Sequence, residues 1–307
     1  MILKGDRLSL ARMITLVENG SERARDDIIC LHPYTGHAKI IGVTGPPGAG
    51  KSTLTGKMVK LFRQAGKTVA VVAVDPTSPF TGGALLGDRL RMTELSTDPG
   101  VFIRSMSTRG SLGGLAATTA DVLRIIDAAG YDIIIVETVG VGQAEVDIME
   151  IADTVLVITV PGLGDDIQIN KAGIMEIGDV FVVNKADRDG ADQVATALEM
   201  MLDLNPEGGD WRPPIIKVVS TAGKGVDEVV SAVNRHFAYV EESGLLVTKK
   251  KKRMRREIIR LLERHFYQTV VAPADQVGLL DACAQQVMEK TMDPFTAVQR
   301  IIHLHNR

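Results

Sequence analysis

Residues 45–52 read GPPGAGKS, the pattern G-x-x-x-x-G-K-[S/T], and its residue types suit one task, holding a chain of phosphates. Gly45, Gly48 and Gly50 let the backbone turn so that its N–H groups face inward, with Ala49 between them. The helical stretch that follows, opening on Lys51, Ser52 and Thr53, adds the positive end of its dipole. Lys51 is long enough to reach the β- and γ-phosphates, and the Ser52 hydroxyl is a ligand for Mg²⁺.

A second stretch, DIIIVETVG at 132–140, is an apolar strand ending in an acid. Glu137 is placed to meet the metal directly or through water, and Gly140 to give its N–H to a γ-phosphate. Asp75, closing the strand TVAVVAVD, and Asp88, in GGALLGDRLRM, are further candidate metal carboxylates. Mg²⁺ on a triphosphate needs only one or two protein carboxylates, so some of these act through water. Arg89 and Arg91 are candidate contacts to phosphate or partner.

Base choice is written in Asn184-Lys185-Ala186-Asp187, at the end of the apolar strand DVFVVNK. The Asp187 carboxylate can accept from both the N1–H and the 2-amino group of guanine. Adenine has no donor at either place and would leave a carboxylate without its partners. Lys185 can lay its stem over the base while Asn184 supports the loop. Ser220-Thr221-Ala222, ending the next strand, suits a loop whose backbone N–H meets guanine O6. Together these residues describe a Mg²⁺-dependent site for GTP and GDP.

The elements that must carry these residues are legible as apolar runs at 40–45, 68–75, 101–106, 132–137, 154–160, 179–185 and 215–220. Most are apolar throughout rather than alternating, as strands are when buried on both faces of a parallel sheet. Amphipathic stretches, for example 114–129 and 191–203, lie between them. This predicts an α/β fold, a doubly wound and mostly parallel sheet of the P-loop NTPase kind, with N- and C-terminal helical extensions. The expected organisation is a helical extension at 1–38, in which Leu8, Leu10, Ala11, Ile14 and Val17 recur at helical spacing. A nucleotide-binding domain over 39–243 and a helical dimerisation arm over 244–307 follow.

Composition is that of a soluble globular chain of 307 residues, 45% hydrophobic and 24% charged, and its net charge of −3 gives no global pull toward nucleic acid or an anionic membrane. No apolar run approaches a membrane span, and the N-terminus carries no secretory pattern. Cys30 and Cys283 are expected to pack as ordinary side chains in a reduced, cytoplasmic setting. His32, His37, His303 and His305 form no ligand set, and the basic run KKKKRMRR at 249–256 is expected to solvate a helix.

The central stretch resembles the MeaB/ArgK-type GTPases, the G-protein chaperones of methylmalonyl-CoA mutase, of the SIMIBI class. The segments that carry the resemblance are GVTGPPGAGKSTL, VDPTSPFTGGALLGDRLRM, IVETVGVGQAEVDI, VPGLGDDIQINKAGIMEI and VVNKAD. It implies a homodimer held partly by C-terminal helices, and slow GTP hydrolysis that gates loading or protection of adenosylcobalamin in an acyl-CoA mutase, methylmalonyl-CoA mutase foremost. By position it assigns Lys51, Ser52, Asp75, Asp88 and Glu137 to phosphate and magnesium, Gln143 to the second switch and 161–171, with Lys171, to a third. QINKAG stands where QGIKKG or QGIKAG is common in the family. Lys51 supplies charge to the reaction, and either Asp75 or Gln143 orients the attacking water. The competing readings are a metal-insertion GTPase, which would bring Cys or His clusters, an accessory ATPase or kinase of basic amino-acid transport, and a signal-recognition GTPase.

Overall fold

The structure, a computed structural model, describes residues 2–75, 93–107, 114–138, 151–162, 177–204 and 210–305. Two compact units can be distinguished, Met1–Lys250 and Lys251–Arg307.

The first unit is built on seven strands: β1 (Lys39–Thr44), β2 (Val69–Asp75), β3 (Val101–Ser107), β4 (Ile133–Thr138), β5 (Thr154–Thr159), β6 (Val180–Asn184) and β7 (Ile215–Val218). They pair in the order β3-β2-β4-β1-β5-β6-β7, every pair parallel. All seven apolar runs of the sequence are strands. Their composition explains this: β4 reads IIIVET and is buried along its whole length, a place that suits β-branched side chains stiff at χ1.

Among the described residues the helices of this unit are α1 (Arg7–Glu18), α2 (Glu22–Leu31), α3 (Lys51–Gln64), α4 (Thr93–Ser96), α5 (Gly114–Ala128), α6 (Ala191–Leu204) and α7 (Val226–Glu242). One apolar cluster joins α3 and α7 to the sheet face carrying Ile41, Val43, Ile133, Ile135, Leu156 and Ile158. On the other face α1, α2 and α5 cover Ala70, Val72, Val74, Ile134 and Val136, and α6 covers Val155, Val157, Phe181 and Val183. Each fully buried Val, Leu, Ile or Phe contributes about 1.5–3 kcal/mol. With helices on both faces the sheet must be apolar on both, which is why its strands do not alternate.

In α1 the helical spacing is right, and of the expected face Leu8 alone departs, while Ala11 packs partly buried against the cluster. Leu10, Met13, Ile14 and Val17 are buried, whereas Leu8 faces out at 58% exposure. The Asp6 carboxylate caps the helix by accepting the Ser9 N–H (3.0 Å). The chain is then tied to the end of α5, where the Asp127 carboxylate accepts the N–H groups of Gly36, His37 (3.1 Å) and Ala38 (2.8 Å). Of the two cysteines, Cys283 is buried as expected, but Cys30 is exposed on α2, so it does not pack.

The second unit is helical. It takes most of α8 (Leu245–Phe266), a short π-helical turn (Tyr267–Val271), α9 (Ala272–Gln276), α10 (Leu279–Met288) and α11 (Pro294–His305). Its buried apolar residues among those described are Val270, Ala274, Cys283 and Ala297, all small or medium. Among the described residues no helix is long and apolar enough to cross a membrane.

Candidate functional site

The connections leaving β1 and β5 run to opposite sides of the sheet, β1 toward β2 and β5 toward β6. A crevice opens at such a reversal, at the carboxyl ends of the strands. The turn 45–50 lies there, between β1 and α3.

Two glycines of this turn have no substitute. Gly45 stands at φ 138°, and a Cβ there would lie 2.1 Å from the Ile158 carbonyl oxygen of β5. Gly50, the residue before α3, stands at φ 88°, and its Cβ would lie 2.4 Å from Asn184 Nδ2. The turn is thus pressed against β5 on one side and the end of β6 on the other. The Lys51 ammonium is folded over it, donating to the carbonyls of Gly45 (2.7 Å) and Pro46 (3.0 Å). The first amides of α3, those of Lys51, Ser52 and Thr53, have no helical acceptors and form an anion-ready end.

Ser52 Oγ donates to Glu137 Oε1 at 2.5 Å, from the first turn of α3 to the end of β4. Both are buried, in line with Lys51. A hydroxyl and a carboxylate on neighbouring rigid elements are hard oxygen donors, the chemistry Mg²⁺ requires, so the residues present fit that ion. Behind them the Thr138 hydroxyl donates to Thr44 Oγ1 (3.3 Å), linking the residue before the turn to the residue after Glu137. The chain sequence carries no signal for this pair.

The base-reading segment is held to the same turn. Asn184, 2% exposed, donates from Nδ2 to the Ala49 carbonyl (2.7 Å) and accepts at Oδ1 from the Ser220 N–H (3.1 Å) and hydroxyl (2.8 Å). One amide therefore fastens three segments together. Lys185, at a left-handed φ of 55°, donates to the Gly48 carbonyl (2.8 Å). Ala186 N–H donates to Val218 O (3.1 Å), which sets the 184–187 turn beside the end of β7. Asp187 is exposed, with its carboxylate at the surface of this turn. Thr221 and Ala222 are exposed in the turn after Ser220, where Ala222 N–H donates to Val219 O (3.0 Å).

Gly45, Gly48, Ala49, Gly50, Lys51, Ser52, Thr53, Glu137, Asn184, Lys185, Asp187, Ser220, Thr221 and Ala222 thus sit at one edge of one sheet. Asp75 ends β2 at the same edge. Asp88, Arg89, Arg91, Gly140, Gln143 and Lys171 lie outside the described residues.

Residues 10–275 match the family described as Methylmalonyl Co-A mutase-associated GTPase MeaB. A protein of Pyrococcus abyssi is 52% identical over 302 residues, covering 97% of this chain and 93% of its own. The mouse protein named Methylmalonic aciduria type A homolog, mitochondrial, is 31% identical over 325 residues, covering 98% and 77%. The crystal structure of an LAO/AO transport system kinase superposes with a TM-score of 0.74 at 26% identity, covering 100% of this chain and 95% of that one. A P-loop GTPase whose cofactors are GTP or GDP and Mg²⁺, the chain belongs to the methylmalonyl-CoA mutase-associated GTPase family, MeaB.

Proposed function

We propose that this chain hydrolyses GTP as a chaperone of an acyl-CoA mutase, with methylmalonyl-CoA mutase as the favoured partner, gating the loading or protection of its adenosylcobalamin. The observation that carries the nucleotide half is the Asn184 amide, which joins the phosphate turn at Ala49, the 184–187 turn and the 220–222 turn. Phosphate grip and base choice are then set by one rigid unit. In this reading the amides of 48–53 and the Lys51 ammonium hold the phosphates, and Ser52 with Glu137 holds the metal, Asp75 and Asp88 assisting. The chemistry Mg²⁺ supplies there when bound is neutralisation of charge on the β- and γ-oxygens. Gly140 contributes an N–H at the γ-phosphate. Asp187 selects guanine, Lys185 covers the ring, and Ser220, Thr221 and Ala222 line its O6 edge. Asp75 or Gln143 orients the attacking water.

The partner half is supported by the family description and by the name of the mouse relative. We further infer a homodimer. On α8 the half-buried side chains include Lys249, Lys250, Arg253, Glu257 and Arg260, while Val247, Met254, Ile258, Leu261 and Leu262 are exposed. An exposed apolar stripe of that length is a surface that a second chain would cover. The kinase name of the structural neighbour favours a second reading, an accessory role in basic amino-acid transport.

Mixing the chain with methylmalonyl-CoA mutase should give a complex whose affinity differs between GTP and GDP by roughly 5–150-fold, the usual range of coupling between sites, and should raise GTP turnover. Full-speed hydrolysis by the isolated chain, with no response to the mutase, would remove the chaperone role.

A further inference from the structure

At the amino-terminal edge of the sheet, away from the nucleotide turn, a second polar cluster is buried. His236 on α7 is 2% exposed. Its Nδ1 lies 2.7 Å from Thr154 Oγ1, at the start of β5, and its Nε2 lies 3.1 Å from Asp179 Oδ1, just before β6. The same carboxylate oxygen has a second cation beside it, Lys249 Nζ at 3.6 Å, from the part of α8 that belongs to the first unit. The other oxygen, Asp179 Oδ2, accepts the Val155 N–H (2.8 Å), and the Asp179 carbonyl accepts Trp211 Nε1–H (2.9 Å). The indole ring packs on the His236 imidazole with centroids 4.9 Å apart.

This arrangement is complete with a neutral imidazole: Nε2–H donates to Asp179, and Nδ1 accepts the Thr154 hydroxyl proton. It is also complete with an imidazolium, since the Thr154 oxygen can accept from Nδ1–H instead. The two states differ in what they ask of Asp179 Oδ1. A neutral ring leaves its negative charge to Lys249. A charged ring takes that charge for itself and sets two cations against one oxygen. His236 has no water to turn to, whereas the Lys249 side chain is 39% exposed and can. Lys249 is therefore the partner that leaves. Its remaining tie in the first unit is the Asp153 carbonyl at 3.4 Å, and Lys250 alongside holds the Gly36 carbonyl at 3.1 Å. Among the described residues, charged or titratable groups on adjoining positions are Asp153, next to Thr154, whose carboxylate accepts the Ile40 N–H (2.9 Å), Tyr239 on α7 (ring centroids 6.3 Å from His236) and Lys39, which stands over the ring of Phe237, the residue after His236 (5.1 Å).

We propose that Asp179, His236 and Lys249 form a proton-operated clasp on the base of α8. It is closed while His236 is neutral, and it releases Lys249 when the imidazole takes up a proton. Histidine is the side chain whose unperturbed charge change lies between pH 5 and 8, so that is the range in which to look for the release. The proposal does not depend on the nucleotide reading.

Trp211 is the chain's single tryptophan, so its emission reports on this cluster alone. A protonated imidazole in contact with an indole quenches its emission. The full chain without nucleotide should lose Trp211 emission along a single titration between pH 8 and pH 5, and His236→Gln should be flat. The deciding variant is Lys249→Met, at a half-exposed position where the fold is not at stake. Without the competing ammonium the imidazole protonates more readily, so the midpoint should move to higher pH. A midpoint unmoved by Lys249→Met, or emission constant across that range in the native chain, would overturn the clasp. If His236→Gln fails to fold, judged by circular dichroism, the native and Lys249→Met titrations still decide.

Discussion

Asp187→Asn should lower GTP affinity by roughly 10²–10³-fold and leave the fold untouched. The carboxylate is exposed on its turn, so its loss removes nothing from the core. In the proposed nucleotide complex it would accept two hydrogen bonds from guanine, each worth about 1.5–3 kcal/mol when one partner is charged. Asparagine offers one acceptor and one donor, and the donor meets the 2-amino group head on. Xanthine carries an oxygen at that position, so xanthosine triphosphate should regain what GTP loses. Calorimetric titration of native and variant chains with both nucleotides checks this. Unchanged GTP affinity in the variant would remove Asp187 from the site.

Lys51→Ala should cost at least roughly 100-fold in GTP affinity, because an ammonium against phosphate oxygens is a charge-assisted contact of about twice ordinary strength, repeated over two phosphates. In the free chain Lys51 spans the carbonyls of Gly45 and Pro46, at 2.7 and 3.0 Å. The variant should therefore fold with a loss of about 1–2 kcal/mol. Thermal melting separates the two effects. Added GDP and Mg²⁺ should raise the melting temperature of the native chain by mass action and leave that of Lys51→Ala nearly unmoved. An equal rise in both would show that the lysine does not grip the phosphates.

How far these residues can be read from sequence depends on where their partners are. The phosphate turn is legible because its partners are local: the glycines, the lysine and the first turn of α3 follow one another within a few residues. The seven strands are legible because burial on both faces makes each an unbroken apolar run. The place of β4 between β1 and β2 is not written in any one strand, since all are apolar and parallel. Spacing identifies α1 as a helix, yet cannot say that Met13 rather than Leu8 faces the sheet, because both are apolar and only the packing surface chooses. Asn184 reads as a supporter of its own loop; that it also fastens Ala49 and Ser220 needs the three turns brought together. His236 has no local signal at all, as its partners come from the start of β5, from just before β6 and, in Trp211, from the segment before β7. Cys30 illustrates the same limit, an apolar-tolerant residue whose exposure is decided by the face α2 turns outward.

The most direct measurement on the nucleotide pocket is displacement of a fluorescent GDP from the full chain, in Mg²⁺, by GTP and by ATP side by side. A two-bond pairing between Asp187 and the guanine edge predicts that ATP needs a concentration higher by roughly 10³-fold or more. Displacement by ATP at the same concentration as GTP would contradict the assignment of the 184–187 turn, and with it the guanine site at this edge of the sheet.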